Sequence, residues 1–188
     1  MHRRVFGAGI VLVISMSATQ AGAAPAWIVD KARSKLEFSS AFAGMGFTGA
    51  FQRWDAAIAF DPKDLRSSKI SATIDVTSAR TGDKDRDGGL PGADWFDAVR
   101  FPKATFVSTA IKPAGVGRYI AQGVLTLKGV AKPVSLAFTL VVNGATATAT
   151  GQAAVDRSLW KVGAGQFAGE DAVPHAVPLR LTLVAARR

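Results

Sequence analysis

The 188-residue chain has no cysteine, a single tyrosine and only two histidines. Without cysteine there is no disulfide, no thiol chemistry and no cysteine-held metal. His2 sits at the N-terminus, which leaves His175, beside Pro174, as the one histidine of the remaining chain. A lone imidazole makes a poor ligand set and has no nucleophile to serve, so His175 reads as a surface or loop residue. Runs of five or six basic residues are missing, and so is any aromatic–basic stack for nucleic acid. There is no Gly-x-Ser-x-Gly elbow, phosphate loop or dinucleotide fingerprint, and the chain is not expected to be an enzyme. Linkers, low-complexity segments and repeats of fixed period are also absent. Asp83, Asp85 and Asp87 alternate as in a calcium loop, but Asp94 stands where an EF-hand needs a Glu, so they read as turn chemistry and no metal is expected.

Long apolar runs are lacking except at the start. Arg3 and Arg4 precede an apolar stretch from Val5 to Met16, too short to span a bilayer. Ala21-Gly22-Ala23 has the small-x-small form of a cleavage site. Residues 1–23 are therefore expected to be an export signal, and 24–188 one exported domain. Removing the signal takes away two basic residues and no acidic ones, which lowers the formal charge from +9 to +7. The remaining basic residues are scattered and read as a solvated face, with weak attraction to anionic lipid headgroups as the alternative.

What the chain does have is alternation. Tyr119, Ala121, Gly123, Leu125 and Leu127 share one face of a run; Val134, Leu136, Phe138, Leu140 and Val142 share one face of the next. Period two makes both runs strands, joined by a turn over Lys128–Pro133, with Pro133 marking the earliest start of the second. Similar runs occupy 27–29, 35–42, 51–60, 69–78, 105–112, 145–156 and 177–185, with a Gly-punctuated turn around Met45 and Phe47. Only 81–102 breaks the pattern. It is polar and Gly-rich, with Asp94 as N-cap of a helical turn through Trp95, Phe96 and Asp97.

About eight strands in one domain predict an all-β, antiparallel closed barrel, whose interior is either filled by side chains or left to hold one small ligand. Large aromatics alternate with many Ala and Gly, which suits either outcome.

Several elements share an order and spacing that resembles the YceI family of exported, lipocalin-like polyisoprenoid-binding proteins. They include Asp30-x-x-x-Ser34-x-Leu36-x-Phe38, Phe60-Asp61-Pro62, Ile74-Asp75-Val76, Arg86-Asp87-x-x-Leu90 and Asp94-Trp95-Phe96-Asp97. Phe101-Pro102-x-Ala104-Thr105-Phe106, Asp156-Arg157 and Val162-Gly163 follow. The resemblance covers Trp27 to Ala186. It implies a lipocalin-like barrel of about eight strands, a partly helical segment over 87–101 at one end, and a long isoprenoid or quinone-like lipid in the bore. It further implies a periplasmic location and, through Val162-Gly163-x-Gly165-Gln166-Phe167, a membrane cytochrome b-type oxidoreductase as partner; a homodimer is left open. Gln166-Phe167 departs from the Glu-Trp of related sequences, and Arg33 stands where many members carry His.

Phe38, Phe42, Phe51, Ile74, Val76, Phe106, Leu125, Leu127, Phe138 and Leu181 are the candidate bore lining, with plain core packing as the alternative. Trp95, Phe96 and Phe101 are candidates for a mouth or lid. Trp160 and Arg157 lie near a strand end, where Arg157 would either orient a headgroup or form an ion pair with an Asp such as Asp87. No cofactor is expected beyond the lipid itself. The competing function is an exported stress or interaction protein with a filled barrel, acting through its basic surface.

Overall fold

The computed structural model describes residues 23–188. The expected export signal lies, but for its last residue, outside the described residues. Among them no helix is long and apolar enough to cross a membrane.

Eleven strand segments make one antiparallel sheet: β1 (Ala26–Val29), β2 (Lys35–Phe42), β3 (Met45–Phe51), β4 (Trp54–Ala59), β5 (Lys69–Asp75), β6 (Ala79–Arg80), β7 (Lys103–Pro113), β8 (Arg118–Leu127), β9 (Val130–Asn143), β10 (Thr146–Asp156) and β11 (Ala176–Arg187). Three pairs are single long strands with a break: β1/β2, β3/β4 and β5/β6. Counted so, eight strands follow one another around a ring, which closes where β11 pairs with β1 and β2. The predicted eight-stranded closed barrel is the observed one. Closure leaves no long edge exposed.

The breaks have local causes. Asp30 accepts hydrogen bonds from Ala32 and Arg33 backbone N–H groups, and Asp75 accepts from Thr77, so each side chain caps a turn of 3-10 helix. The breaks also bond to one another. Arg53 reaches Asp75 at 2.9 Å and Thr77 at 2.8 Å, and Lys31 ties to the Trp54 carbonyl and the Asp55 carboxylate.

Two expectations are corrected here. The glycines at 44–49 do not make a long turn: Ala43 and Gly44 alone turn, both at positive φ, and β3 starts at Met45. Glycine fits inside β3 because Gly49 lets the Phe38 ring cross the strand. The next hairpin likewise turns on Lys128 (φ 49°) and Gly129 (φ 75°) alone, in keeping with the mirror-image turns that match strand twist. Pro133 therefore lies inside β9, not before it. It is tolerated because β10 pairs with β9 only from Ala137 onward, so this stretch has no neighbour on one side.

One end of the barrel is closed by short turns and packed side chains. Phe60, Tyr119 and Phe138 form an aromatic triad with centroids 5.1–5.9 Å apart, and Trp27 donates from its indole nitrogen to the Phe60 carbonyl at 3.0 Å. At the other end two long segments, 81–102 and 157–175, fold across the opening. The first contains α1 (Lys84–Gly89), capped by Asp83, whose carboxylate accepts from the Asp85 and Arg86 N–H groups. The helical turn thus begins at Asp83 rather than Asp94. Asp97 has φ 50°, which no helix accommodates, and the Asp94 carbonyl instead accepts from Gly163 and Ala164 N–H groups of the second segment.

Candidate functional site

Alternation turns one side of every strand inward, but the side chains do not fill the space. A cavity of about 790 Å³ runs from the aromatic triad to the covered end. That is within the range of small-molecule sites and far above the voids of a packed core. It stays open because small residues face each other in the wall: Ala56 pairs with Ala72 across β4 and β5, and Ala104, Ala147, Ala149 and Ala153 also line it.

Phe38, Phe42, Phe51, Ile74, Val76, Phe106, Leu125, Leu127, Phe138 and Leu181 all line this cavity. Phe38 and Phe51 pack at 5.2 Å, and Phe51 meets Phe96 of the cover at 6.0 Å. Trp95 and Phe96 form the underside of the cover, with Phe96 buried and Trp95 half-buried. Phe167, from the second covering segment, stacks near Trp95 at 5.2 Å and Phe42 at 6.3 Å. These three rings join both covering segments to the β2–β3 hairpin.

Phe101 is a correction. It does not reach the cavity and lies against the Gly129 turn, where a Cβ on Gly129 would fall 2.7 Å from its ring. Before it the chain turns at Asp97 (φ 50°), whose carbonyl accepts from the Phe101 N–H at 2.9 Å. Sequence reasoning also missed Leu36, Phe47, Trp54, Ile58, Ile70 and Phe167 as lining residues. Leu36 shares the alternating face of Phe38 and was legible there; Phe167 comes from an irregular segment without a periodic signal.

Arg157 plays neither of its two expected roles. It is 4% exposed, and all five of its donors go to backbone carbonyls of its own segment: Pro174, Val162, Gly163, Gly169 and Val173, at 2.6–3.0 Å. Asp87 instead accepts from the Thr81 N–H and hydroxyl, both at 2.7 Å. Burial pushes the Arg157 pKa down, while Asp156 and Glu170 push it back up. The guanidinium touches the cavity wall but has no donor left for a headgroup. It fixes the second covering segment. Lys128 does similar work outside, donating to the Ala93 carbonyl at 2.7 Å and the Lys161 carbonyl at 2.8 Å, one in each covering segment. Trp160 is buried beneath, donating to Leu125 O at 3.3 Å.

Few polar side chains reach the cavity. Ser40 lies on β2; Thr81, Asp83, Asp85 and Arg86 lie at the rim beside α1; Arg180 touches the edge from the outward face of β11, opposite Glu37. His175 is a loop residue near the Ala168 carbonyl, and among the described residues no three His, Asp or Glu side chains converge as a metal site would require.

A closed antiparallel barrel around an apolar, covered bore defines a lipocalin-like protein with room for a lipid. The chain belongs to the YceI family: the YceI-like domain profile matches residues 27–185. A UPF0312 protein of Vibrio parahaemolyticus is 30% identical over 139 residues, 72% of each chain. Protein YceI of Escherichia coli O157:H7 is 40% identical over 96 residues, 51% of this chain and 50% of that one. The chain thus spans between half and three quarters of the length of these relatives. The crystal structure of BcnA from Burkholderia cenocepacia is similar at 40% identity with a TM-score of 0.81, over 85% of this chain and 100% of that one. A polyisoprenoid binding domain from Saccharophagus degradans shares the fold at 16% identity, with a TM-score of 0.69, over 88% and 99% of the two chains.

Proposed function

We propose that this protein binds and carries a long-chain isoprenoid lipid, quinone-like or polyprenyl, in the periplasm. The observation that carries the reading is the apolar cavity of about 790 Å³ beneath a two-segment cover. An isoprenoid tail has no hydrogen-bonding groups, so apolar contact and shape alone must hold it. Burial contributes roughly 25 cal/mol per Å² of apolar surface, enough for useful affinity over several isoprene units. The name of the Saccharophagus domain, a distant relative in fold, agrees with this class of ligand.

The competing reading, a filled barrel acting through its basic surface, expects side chains where the cavity is. We propose binding rather than catalysis, and a membrane cytochrome b-type oxidoreductase as one recipient of a quinone-like cargo. Mass spectrometry of organic extracts from protein purified out of its native host tests the reading. A stoichiometric isoprenoid supports it. An empty extract, together with no uptake of added polyprenol or quinone, overturns it.

A further inference from the structure

Ser40 interrupts the otherwise apolar inward face of β2. Residues 36, 38, 40 and 42 of β2 face inward, and Ser39 faces out, where its hydroxyl lies 3.4 Å from that of Thr48. Among the described residues, the Ser40 Oγ is the one buried side-chain polar atom without a hydrogen-bond partner. Leaving a buried hydroxyl unpaired is unfavourable, and an apolar residue would avoid this at no loss to the wall. The hydroxyl therefore looks toward something that occupies the cavity.

The surroundings restrict what that group can be. Ser40 pairs across the hairpin with Phe47, whose ring carries the Arg86 guanidinium at 4.3 Å. Arg86 is partly engaged: its Nε donates to the Thr81 hydroxyl at 3.3 Å and its Nη2 lies 3.7 Å from the Asp83 carboxylate. Asp83 and Asp85 bring negative charge to the same rim. Arg157 has spent all its donors, and Arg180 stands on the outer face opposite Glu37. A phosphate placed at Ser40 would be desolvated among aromatic rings, beside a rim where the two carboxylates of Asp83 and Asp85 outnumber the one guanidinium of Arg86. A neutral oxygen would meet one hydroxyl and nothing that repels it.

We propose that Ser40 is the hydrogen-bonding anchor for the head of the bound lipid, and that the site selects an isoprenoid with an uncharged oxygen head, an alcohol, phenol or quinone, over its phosphorylated counterpart. This rests on the carrier reading. The head then lies between Phe38 and Phe42 near the covered end, and the tail fills the bore toward Phe60 and Phe138.

The test measures binding of three probes to the purified protein by native mass spectrometry and tryptophan fluorescence, since all four tryptophans line the cavity. The probes are a six-isoprene polyprenol, its monophosphate, and the headless six-isoprene hydrocarbon squalene. Wild-type protein should bind the polyprenol roughly three- to tenfold more tightly than squalene, the gain expected of one hydrogen bond. It should bind the monophosphate more weakly than either. Ser40→Ala should reduce polyprenol affinity to the squalene level, leave squalene unchanged and leave the melting temperature of the unliganded protein no lower; Ser40→Thr should restore the preference. Equal losses for polyprenol and squalene, no loss for either, or a wild-type preference for the monophosphate would overturn the proposal. If the wild type binds squalene and polyprenol alike, the carrier reading stands and the anchor falls. If it binds none of the three, both fall.

Discussion

The ring of Phe38 occupies the space that a side chain on Gly49 would need. The two residues face each other across the β2–β3 pairing, and a Cβ on Gly49 would fall 2.3 Å from the Phe38 Cζ. The ring tip can rotate away, and the direction open to it is the bore. Gly49→Ala should therefore push Phe38 into the cavity and break its 5.2 Å contact with Phe51. The expected outcome is weaker uptake of a long isoprenoid with a stability loss of about 1–3 kcal/mol, read by lipid titration and urea denaturation. Unchanged uptake would mean that the ring does not bound the ligand.

Ala56 and Ala72 offer the direct test of an open bore. They pair across β4 and β5 and line the cavity. Ala56→Leu or Ala72→Leu should leave stability nearly unchanged, because the added atoms enter empty space. Binding of long tails should fall more than binding of short ones. Ala121 and Gly123, on the same face of β8 as the lining Leu125 and Leu127, are not usable for this purpose. Ala121 is fully buried, and a Cβ on Gly123 would fall 2.5 Å from the Phe106 ring and the Val107 carbonyl. Leucine there should unfold the wall whether or not a ligand exists.

Trp95 and Phe96 are neighbours with different expected roles. Trp95 packs on Phe167 at the meeting of the two covering segments, so Trp95→Ala should speed lipid release in a stopped-flow experiment with little change in melting temperature. Phe96 is buried against Phe51, and Phe96→Ala should lose about 3–5 kcal/mol of stability. A reversed pattern would place the cover's hinge at Phe96.

Arg157→Met should expose the dependence of the second covering segment on one side chain. It leaves five carbonyls of residues 162–174 without their donor. Lysine has too few donors, so Arg157→Lys should also destabilise. Both variants should lower the melting temperature and raise amide exchange over 157–175 more than in the strands. Uniform exchange across the barrel would contradict a local role.

Acid should loosen two capped turns, the one at the β5/β6 break and the one that opens the second covering segment. The Thr77 hydroxyl holds the Asp75 carboxyl below its ordinary pKa of 3.8 against the opposing effect of burial, with Arg53 adding to the shift. Ser158 does the same for Asp156. A depressed folded pKa means the stabilisation is complete above the unfolded value and is lost as pH falls through the lower folded values. The melting temperature should therefore drop below about pH 4, and Asp75→Asn with Asp156→Asn should flatten that acid limb. An identical limb in the double variant would assign the acid sensitivity to other carboxylates.

Much of the barrel was legible because a pleated strand writes its two faces into the sequence with period two. Leu125, Leu127, Leu136 and Phe138 announce their common face without any tertiary information. The capping aspartates were harder to read: Asp83 and Asp94 both precede helix-compatible residues, and only the left-handed Asp97 and the bonds from Gly163 and Ala164 decide between them. The strand faces, the lack of cysteine chemistry and the family resemblance can all be read from the chain, since each depends on residue identity and short spacing. That the bore is open, that Arg157 is spent on its own backbone, that Phe101 turns away and that Ser40 is left without a partner emerge only in the folded barrel. Each of those depends on which distant residues closure brings together, and on the volume that remains when alanines, rather than larger side chains, meet across the wall.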